Sequence, residues 1–168
     1  DAQTEIEYVR VELVDIWHFL LSLALENFEP ENASALLNKA LTMSNESQTI
    51  SSELSAIEKV RIHETMMRTA LESVQVSESY LSALTVAFFN SCKVAELDFD
   101  QLYQIYMAKN VLNKFRQDHG YKEGTYIKEW NGKEDNVVMF EIIAQMPSFS
   151  GDHLYIGLKE HYIQLDHS

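Results

Sequence analysis

Residues 4–27 read TEIEYVRVELVDIWHFLLSLALEN and carry the longest helical pattern in the sequence. Apolar residues recur there in steps of three and four, which is the spacing of one face of an α-helix. The positions on this predicted face are Ile6, Val9, Leu13, Ile16, Leu20, Leu23 and Ala24. Because the segment becomes almost wholly apolar toward its end, we expect a central, buried helix.

Shorter periodic segments continue the helical pattern through the rest of the chain. Pro30 follows Glu29, and proline is well tolerated in the first turn of a helix. The polar stretch 44–52 (SNESQTISS) is predicted to be a loop or a helix cap. Further helices are predicted over residues 31–43, 53–73, 77–94, 98–117, 134–146 and 151–165.

Helix signals and breakers agree with this pattern. The first 119 residues contain no glycine and one proline, since all five glycines lie at or after Gly120. Ser77 is predicted to begin a helix, and Asp98 is a predicted cap that forms a capping-box pattern with Gln101. Gly120 is predicted to end the helix before it. The sequence therefore predicts an all-α fold, a helical bundle of about six or seven helices in a single domain over residues 1–168.

The charge balance argues against a nucleic-acid-binding protein. The chain has 26 acidic residues against 13 Lys and Arg, a formal net charge of −13, whereas proteins that grip a phosphate backbone are basic. Residues 109–133 depart from this balance, with six bases and three acids. This segment is either a pocket for a small anion such as a nucleotide phosphate or an ordinary solvated loop.

Cysteine content and hydropathy bear on the compartment. The single cysteine, Cys92, lies in an apolar stretch and excludes an internal disulfide framework or a multi-cysteine zinc site. No apolar run reaches the roughly 18 residues that cross a membrane, and no signal peptide is recognisable. We therefore expect a cytoplasmic protein without membrane association. Because the chain starts inside a predicted helix, we also expect further residues upstream in the natural protein.

Glu12 and Asp15 are the first candidates for chemistry. They lie three residues apart, so both carboxylates project from one side of the first helix, inside an otherwise apolar segment. Two carboxylates in such surroundings repel each other and are costly to desolvate, and Mg²⁺, which prefers oxygen ligands, would offset both costs. The alternative is that both side chains point to solvent at the edge of the helix.

A second candidate lies on the predicted helix 98–117. Lys109, Asn113 and Arg116 are spaced i, i+4 and i+7, which places a cation, an amide and a guanidinium on one side of the helix. Such a set suits a phosphate chain, although a solvated stripe has the same spacing. The predicted apolar face opposite carries Tyr103, Ile105, Met107, Val111 and Leu112.

The segment 118–133 follows this helix and is rich in lysines, aromatic residues and glycines. We interpret it as a loop that could fold over a bound nucleotide as a lid. The histidines lack zinc-site spacing, and no motif for a Ser or Cys nucleophile, a P-loop or a dinucleotide site occurs. If the protein is an enzyme, water activated by a metal and a carboxylate is the expected nucleophile.

Taken together, these segments resemble the dimeric, all-α dUTP pyrophosphatases (dUTPases), within the all-α NTP pyrophosphatases. The runs 109–117 (KNVLNKFRQ), 120–126 (GYKEGTY) and 128–136 (KEWNGKEDN) are similar to the C-terminal signature of that family. Residues 12–19 (ELVDIWHF) are similar to its ExVDxxHF helix. The residues between, 28–97, match by helical character and length.

The resemblance implies a dUTP diphosphatase that forms homodimers and hydrolyses dUTP, and also dUDP, to dUMP with release of pyrophosphate or phosphate. It implies Mg²⁺ as the cofactor, with Glu12 and Asp15 as metal ligands and catalytic residues. His18 and Phe19 would lie against the deoxyuridine. The residues that the resemblance implies for the triphosphate are Lys109, Asn113, Arg116, Tyr121, Lys128 and Asn136, and Lys122 is a further predicted substrate-binding residue.

In that family, two more metal ligands from an ExxE helix and the segment that reads the uracil edge precede the helix seen here. Both are expected upstream of residue 1, so the base specificity stays open. A related pyrophosphatase for another nucleotide such as dCTP is one alternative. A non-catalytic helical module for nucleotide binding or dimerisation is the other.

Overall fold

The computed structural model describes residues 2–46, 53–72 and 75–165. Seven helices and one two-stranded hairpin lie in these ranges, so the predicted all-α fold is confirmed. They are α1 (Ala2–Asn27), α2 (Pro30–Glu46), α3 (Ala56–Leu71), α4 (Glu78–Val94), α5 (Phe99–Asp118), β1 (Glu129–Trp130), β2 (Lys133–Glu134), α6 (Asp135–Ala144) and α7 (Gly151–Ile163). None of these helices has the length and apolar character needed to cross a membrane.

The chain divides into two compact units, Asp1–Leu102 and Tyr103–Ser168. Unit 1 holds α1 to α4 and the first residues of α5, and unit 2 holds the rest of α5, the hairpin, α6 and α7. The expectation of a single domain over the whole chain stays a prediction.

α4 is the centre of unit 1, because α1, α2 and α3 all pack against it. Phe88 of α4 is fully buried, and its ring stacks on that of Trp17 of α1 with the centroids 5.4 Å apart. Phe89 and Phe99 extend this aromatic cluster around Trp17. Since burial of one large apolar side chain contributes about 1.5–3 kcal/mol, the cluster is a main anchor of α1 on α4.

The buried face of α1 is rotated relative to the predicted one. Its buried residues are Leu13, Val14, Trp17, Leu20 and Ala24. Val9 and Ile16, which the apolar spacing placed in the core, are exposed instead. The large indole of Trp17 stacks on Phe88 of α4, while Ile16 lies at an exposed groove that Leu84 and Phe88 also line.

The largest differences from the predicted helix boundaries are at the end of α2 and the start of α3. α2 continues past residue 43 to Glu46, because Ser44 is fully buried and its hydroxyl donates to Asn90 Oδ1 at 2.8 Å. α3 begins at Ala56 and not at residue 53, because Ser55 and Glu58 form a capping box that the prediction missed. Residues 47–52 of the predicted loop, and residue 73 at the predicted end of α3, lie outside the described residues.

The helix signals predicted at three other positions are confirmed. The Ser77 hydroxyl accepts from the Tyr80 amide at 3.1 Å. The Asp98 carboxylate accepts from the Gln101 amide at 2.8 Å, and the Gln101 side chain accepts from the Asp98 amide at 3.2 Å. Gly120 ends α5 with φ +86°, a conformation in which glycine has no steric penalty.

The core of unit 2 forms around Phe115 of α5. Its buried residues come from α5, the hairpin, α6, α7 and the residues after α7: Ala108, Leu112, Phe115, Trp130, Val138, Met139, Ile142, Leu154, Leu158, Tyr162 and Leu165. Tyr103, which was predicted on the apolar face of α5, is exposed. The spacing of Ala108, Leu112 and Phe115 at i, i+4 and i+7 is the buried stripe of this helix.

The predicted loop 118–133 contains a hairpin that the sequence analysis missed. β1 pairs antiparallel with β2, and Asn131 and Gly132 form the turn with φ of +51° and +80°. Positive φ at both central residues is the pattern of a tight hairpin turn. Trp130 is buried, and its indole N–H donates to the Ile127 carbonyl at 2.7 Å. These contacts attach the second half of the segment to the core of unit 2.

Candidate active site

The acidic pair Glu12 and Asp15 lies on α1, beside its buried face. Glu12 is exposed and Asp15 is half-buried, while Leu13 and Val14 between them point into the core. The helix thus holds two carboxylates one turn apart at the edge of the apolar interior. The alternative of a solvated side chain fits Glu12, whereas Asp15 is partly removed from water.

His18 and Phe19 follow the acidic pair on α1. Phe19 is 72% exposed, and its ring centroid lies 6.3 Å from that of His18. Phe19 also lines a groove of about 460 Å³ whose other walls include Met66 of α3 and Leu84 and Phe88 of α4. An exposed ring at an apolar groove offers a flat surface on which a planar base can stack.

The donors on α1 fit Mg²⁺ as part of its coordination shell. Mg²⁺ usually takes one or two protein carboxylates and completes its shell with substrate phosphates and water. Within the described residues, no group of three or more His, Cys, Asp or Glu is placed to hold a metal ion. Glu12 and Asp15 therefore suit an ion shared with a phosphate substrate better than a closed site built from this part of the chain.

The predicted cationic face of α5 lies in unit 2. Asn113 is exposed, and its side-chain oxygen accepts from Arg116 Nη1 at 3.2 Å. Lys109 is half-buried one turn before Asn113. The structure thus brings Asn113 and Arg116 into contact, and the i, i+4, i+7 spacing keeps Lys109 on the same side of the helix.

Arg116 is held by a carboxylate that the sequence analysis did not select. Its Nε and Nη2 donate to the two oxygens of Asp135, each at 2.8 Å, and Asp135 is fully buried. The Tyr126 hydroxyl donates to the same carboxylate at 2.7 Å. Burial alone would lower the pKa of Arg116, but the hydrogen bonds and charge of Asp135 raise it, so the guanidinium keeps its proton.

Tyr126 and Asp135 left a weak signal in the sequence. An acidic residue at the start of a helix is favoured by the helix dipole, so the position of Asp135 does not by itself indicate a buried ion pair. Burial, and then the hydrogen bond to Asp135, raise the pKa of Tyr126, so its hydroxyl stays a donor. The long sequence separation between Arg116 and Asp135 explains why helical spacing could not connect them.

The remaining cationic and aromatic residues lie in the segment after α5. Tyr121 is exposed, and its ring centroid lies 6.0 Å from Arg116 Cζ. Lys122 is exposed, and Lys128 Nζ lies 3.8 Å from a Glu134 carboxylate oxygen in an exposed pair on the hairpin. Tyr121 thus lies near Arg116, while Lys128 lies next to the hairpin. A lid movement of this segment stays a prediction.

Asn136 follows Asp135 in the first turn of α6. The residue is half-buried, and its Oδ1 is buried without a hydrogen-bond partner among the described residues. An unpaired buried polar atom costs about 1–3 kcal/mol, so a ligand or water that donates to it would be favoured there.

Cys92 offers no alternative nucleophile. Its thiol is buried in α4, and burial raises its pKa to about 12. A thiol with that pKa carries almost no thiolate at neutral pH, so the prediction of a core residue is confirmed.

The predicted site residues therefore fall into two sets. Unit 1 carries Glu12, Asp15, His18 and Phe19, and unit 2 carries Lys109, Asn113, Arg116, Tyr121, Lys122, Lys128 and Asn136. Within unit 2, Arg116 contacts Asn113 and lies near Tyr121.

Comparison with known families agrees with the fold and these motifs. A family model described as dUTPase matches residues 1–121, which is most of the chain. The chain belongs to the dUTPase family, whose members are nucleotide pyrophosphatases. The match includes residues 12–19 and 109–121, and the rest of the signature, 122–136, lies beyond it. No curated protein matches the chain.

Proposed function

We propose that the protein hydrolyses dUTP to dUMP and pyrophosphate, and dUDP to dUMP and phosphate, with Mg²⁺ as its cofactor. One observation carries this proposal: the dUTPase family match spans both the acidic pair on α1 and the cationic stretch of α5. Family membership supports the reaction class, and the residues on the two helices support the chemistry.

Glu12 and Asp15 would hold the metal, because both are hard oxygen donors on one side of α1. When bound, Mg²⁺ neutralises phosphate charge and makes attack by water easier. The half-buried position of Asp15 restricts its side chain more than that of exposed Glu12, so Asp15 is the better-ordered ligand of the two.

The nucleoside and the phosphates would be bound by different residues. Phe19 would pack on the uracil, because its ring is exposed at an apolar groove, and His18 would lie beside it. Lys109, Lys122 and Lys128 would donate to phosphate oxygens. The exposed ion pair of Lys128 with Glu134 is weak, so a phosphate can replace the carboxylate as its partner.

The metal-ligand role is tested by Asp15→Asn, which keeps the shape of the side chain and removes its charge. We expect loss of Mg²⁺-dependent pyrophosphate release from dUTP, with partial recovery at higher Mg²⁺ concentrations. Glu31→Gln, which changes an exposed glutamate of α2, is the matched control and should behave as wild type. An Asp15→Asn variant with the wild-type rate and Mg²⁺ dependence would contradict the assignment.

The phosphate role is tested on the hairpin. Lys128→Gln should lower kcat/KM for dUTP by about tenfold, the effect of losing one charge-assisted hydrogen bond. Lys133→Gln is the control, because Lys133 is an exposed lysine of the adjacent hairpin that is not among the predicted phosphate-binding residues. Equal kcat/KM in the two variants would contradict the phosphate-binding role of Lys128.

We also propose that the protein is a homodimer, as the family resemblance implies. In line with this, α3 exposes Ile57, Val60, Met67 and Leu71. Light scattering should give the mass of two chains, and Leu71→Glu should shift it toward one chain, while Ile163→Glu in unit 2 should not. A wild-type mass of one chain would contradict the dimer.

A further inference from the structure

We infer that Asp135 is a positioning residue for phosphate binding, because it orients Arg116 and fixes the backbone next to Lys128. The inference rests on the proposed function for the identity of the substrate. It concerns a residue that contacts two predicted phosphate-binding positions and directly precedes a third, Asn136.

The side chain of Asp135 fixes the plane of the Arg116 guanidinium. Two parallel hydrogen bonds join the two groups, and a bidentate pair of this kind fixes the guanidinium plane as well as its distance. The Tyr126 hydroxyl gives the carboxylate a third donor, at the oxygen that also accepts from Arg116 Nε, and so restrains it further. Because Asp135 is fully buried and the Arg116 side chain is 14% exposed, bulk water competes little for these bonds.

The backbone of Asp135 acts on a second position. Its amide donates to the Lys128 carbonyl at 3.0 Å, immediately after β2. Asp135 therefore ties the start of α6 to the hairpin through its main chain and to α5 through its side chain. One residue thus sets where Arg116 and Lys128 stand relative to each other within unit 2.

This arrangement leaves Arg116 able to bind an anion. Asp135 and Asn113 occupy three of its five N–H groups, which leaves one further N–H on each of Nη1 and Nη2. A guanidinium that is already ordered loses less conformational entropy when a phosphate binds. Asp135 would therefore strengthen phosphate binding without touching the substrate.

The test compares Asp135→Asn with Asp118→Asn. Asp118 is a matched control, because it also accepts from a cation, Lys114, and from a tyrosine hydroxyl, Tyr155, but at the surface. Steady-state kinetics with dUTP should show kcat/KM lowered by about tenfold in Asp135→Asn, mainly through KM, and unchanged in Asp118→Asn. An Asp135→Asn variant within about twofold of wild type would overturn the inference.

A double-mutant cycle separates positioning from a purely structural role. If Asp135 acts through Arg116, adding Asp135→Asn to Arg116→Met should lower kcat/KM little further. If the two residues act independently, the fold-losses in kcat/KM of the two single variants should multiply. If Asp135→Asn does not fold, Tyr126→Phe takes its place in the cycle, because it removes one donor to the same carboxylate. Independent, multiplying effects in either cycle would overturn the inference.

The inference can fail separately from the proposed function. If the wild-type protein releases no pyrophosphate from dUTP, the proposed function fails, and calorimetric binding of inorganic tripolyphosphate replaces the kinetics. Weaker tripolyphosphate binding by Asp135→Asn than by Asp118→Asn would then support the positioning role. Equal binding by the two variants, or no binding by the wild type, would overturn it.

Discussion

At the residue scale, Arg116 and Asp135 are the two charged residues for which losing the partner is most costly, because both side chains are largely removed from water. The exposed pairs Lys114–Asp118 and Lys133–Glu141 stay solvated and are screened by salt. Breaking a buried pair leaves one charge without compensation in a poorly solvated site, which costs more than the intact pair contributes. The Arg116–Asp135 pair therefore orders the site and also makes the fold sensitive to the loss of either partner.

Asp135→Ala should lower the free energy of unfolding by about 3–5 kcal/mol, because Arg116 loses its buried partner. Urea denaturation followed by circular dichroism measures this. Asp118→Ala, at an exposed pair, should leave the urea midpoint nearly unchanged. A loss below about 1 kcal/mol in Asp135→Ala, the range of surface pairs, would show that the carboxylate is not buried as described.

The partial burial of His63 on α3 predicts that the free energy of unfolding depends on pH. Burial lowers the pKa of its imidazole from the usual 6.5. Just below pH 6.5 the unfolded chain binds a proton that the folded chain does not, so stability is lost as the pH falls through this window. Stability is retained above it.

His63→Gln removes that proton, so its free energy of unfolding should fall less than that of the wild type between about pH 7.5 and 5.5. His153→Gln changes an exposed histidine and should keep the wild-type slope. Identical pH slopes for His63→Gln and the wild type would show that His63 does not contribute.

At the element scale, capping residues set the boundaries of the helices. Asp98 and Gln101 close the start of α5 with reciprocal hydrogen bonds, and Ser55 with Glu58 does the same for α3. Each box satisfies backbone amides that a helix leaves without partners in its first turn.

Asp98→Ala should destabilise the protein by about 0.5–2 kcal/mol, the usual cost of removing a capping oxygen. Asp98→Asn keeps an oxygen acceptor and should lie close to the wild type. Thermal melts of the three proteins measure the difference. Equal melting temperatures for the Ala and Asn variants would mean that the cap does not hold the helix.

Local patterns could predict most of the elements but not all of their faces. The signals at Ser77, Asp98 and Gly120 act within a few residues, so the sequence was sufficient to place them. The predicted face of α1 is confirmed at Leu13, Leu20 and Ala24 and wrong at Val9 and Ile16. The packing of Trp17 against Phe88 joins distant parts of the chain, so spacing along one helix could not predict it. The hairpin was missed because strands of two residues are too short to show alternation.

At the scale of the whole molecule, family membership and site geometry answer different questions. The dUTPase match over residues 1–121 agrees with the resemblance drawn from residues 12–19 and 109–117. The contacts of Asp135 with Arg116 and Tyr126 depend on how α5, the segment after it and α6 pack in unit 2. Such contacts between separate elements could not be predicted from spacing along one helix.

We propose above all that this chain carries dUTP diphosphatase chemistry. The most direct measurement is pyrophosphate release by the wild-type protein with Mg²⁺, from dUTP, dCTP, dTTP, dATP and dGTP in parallel. We predict release from dUTP that greatly exceeds release from the other nucleotides and that EDTA abolishes. Selective release from dCTP would contradict the proposed substrate, and no release from any of the five would contradict the proposed activity.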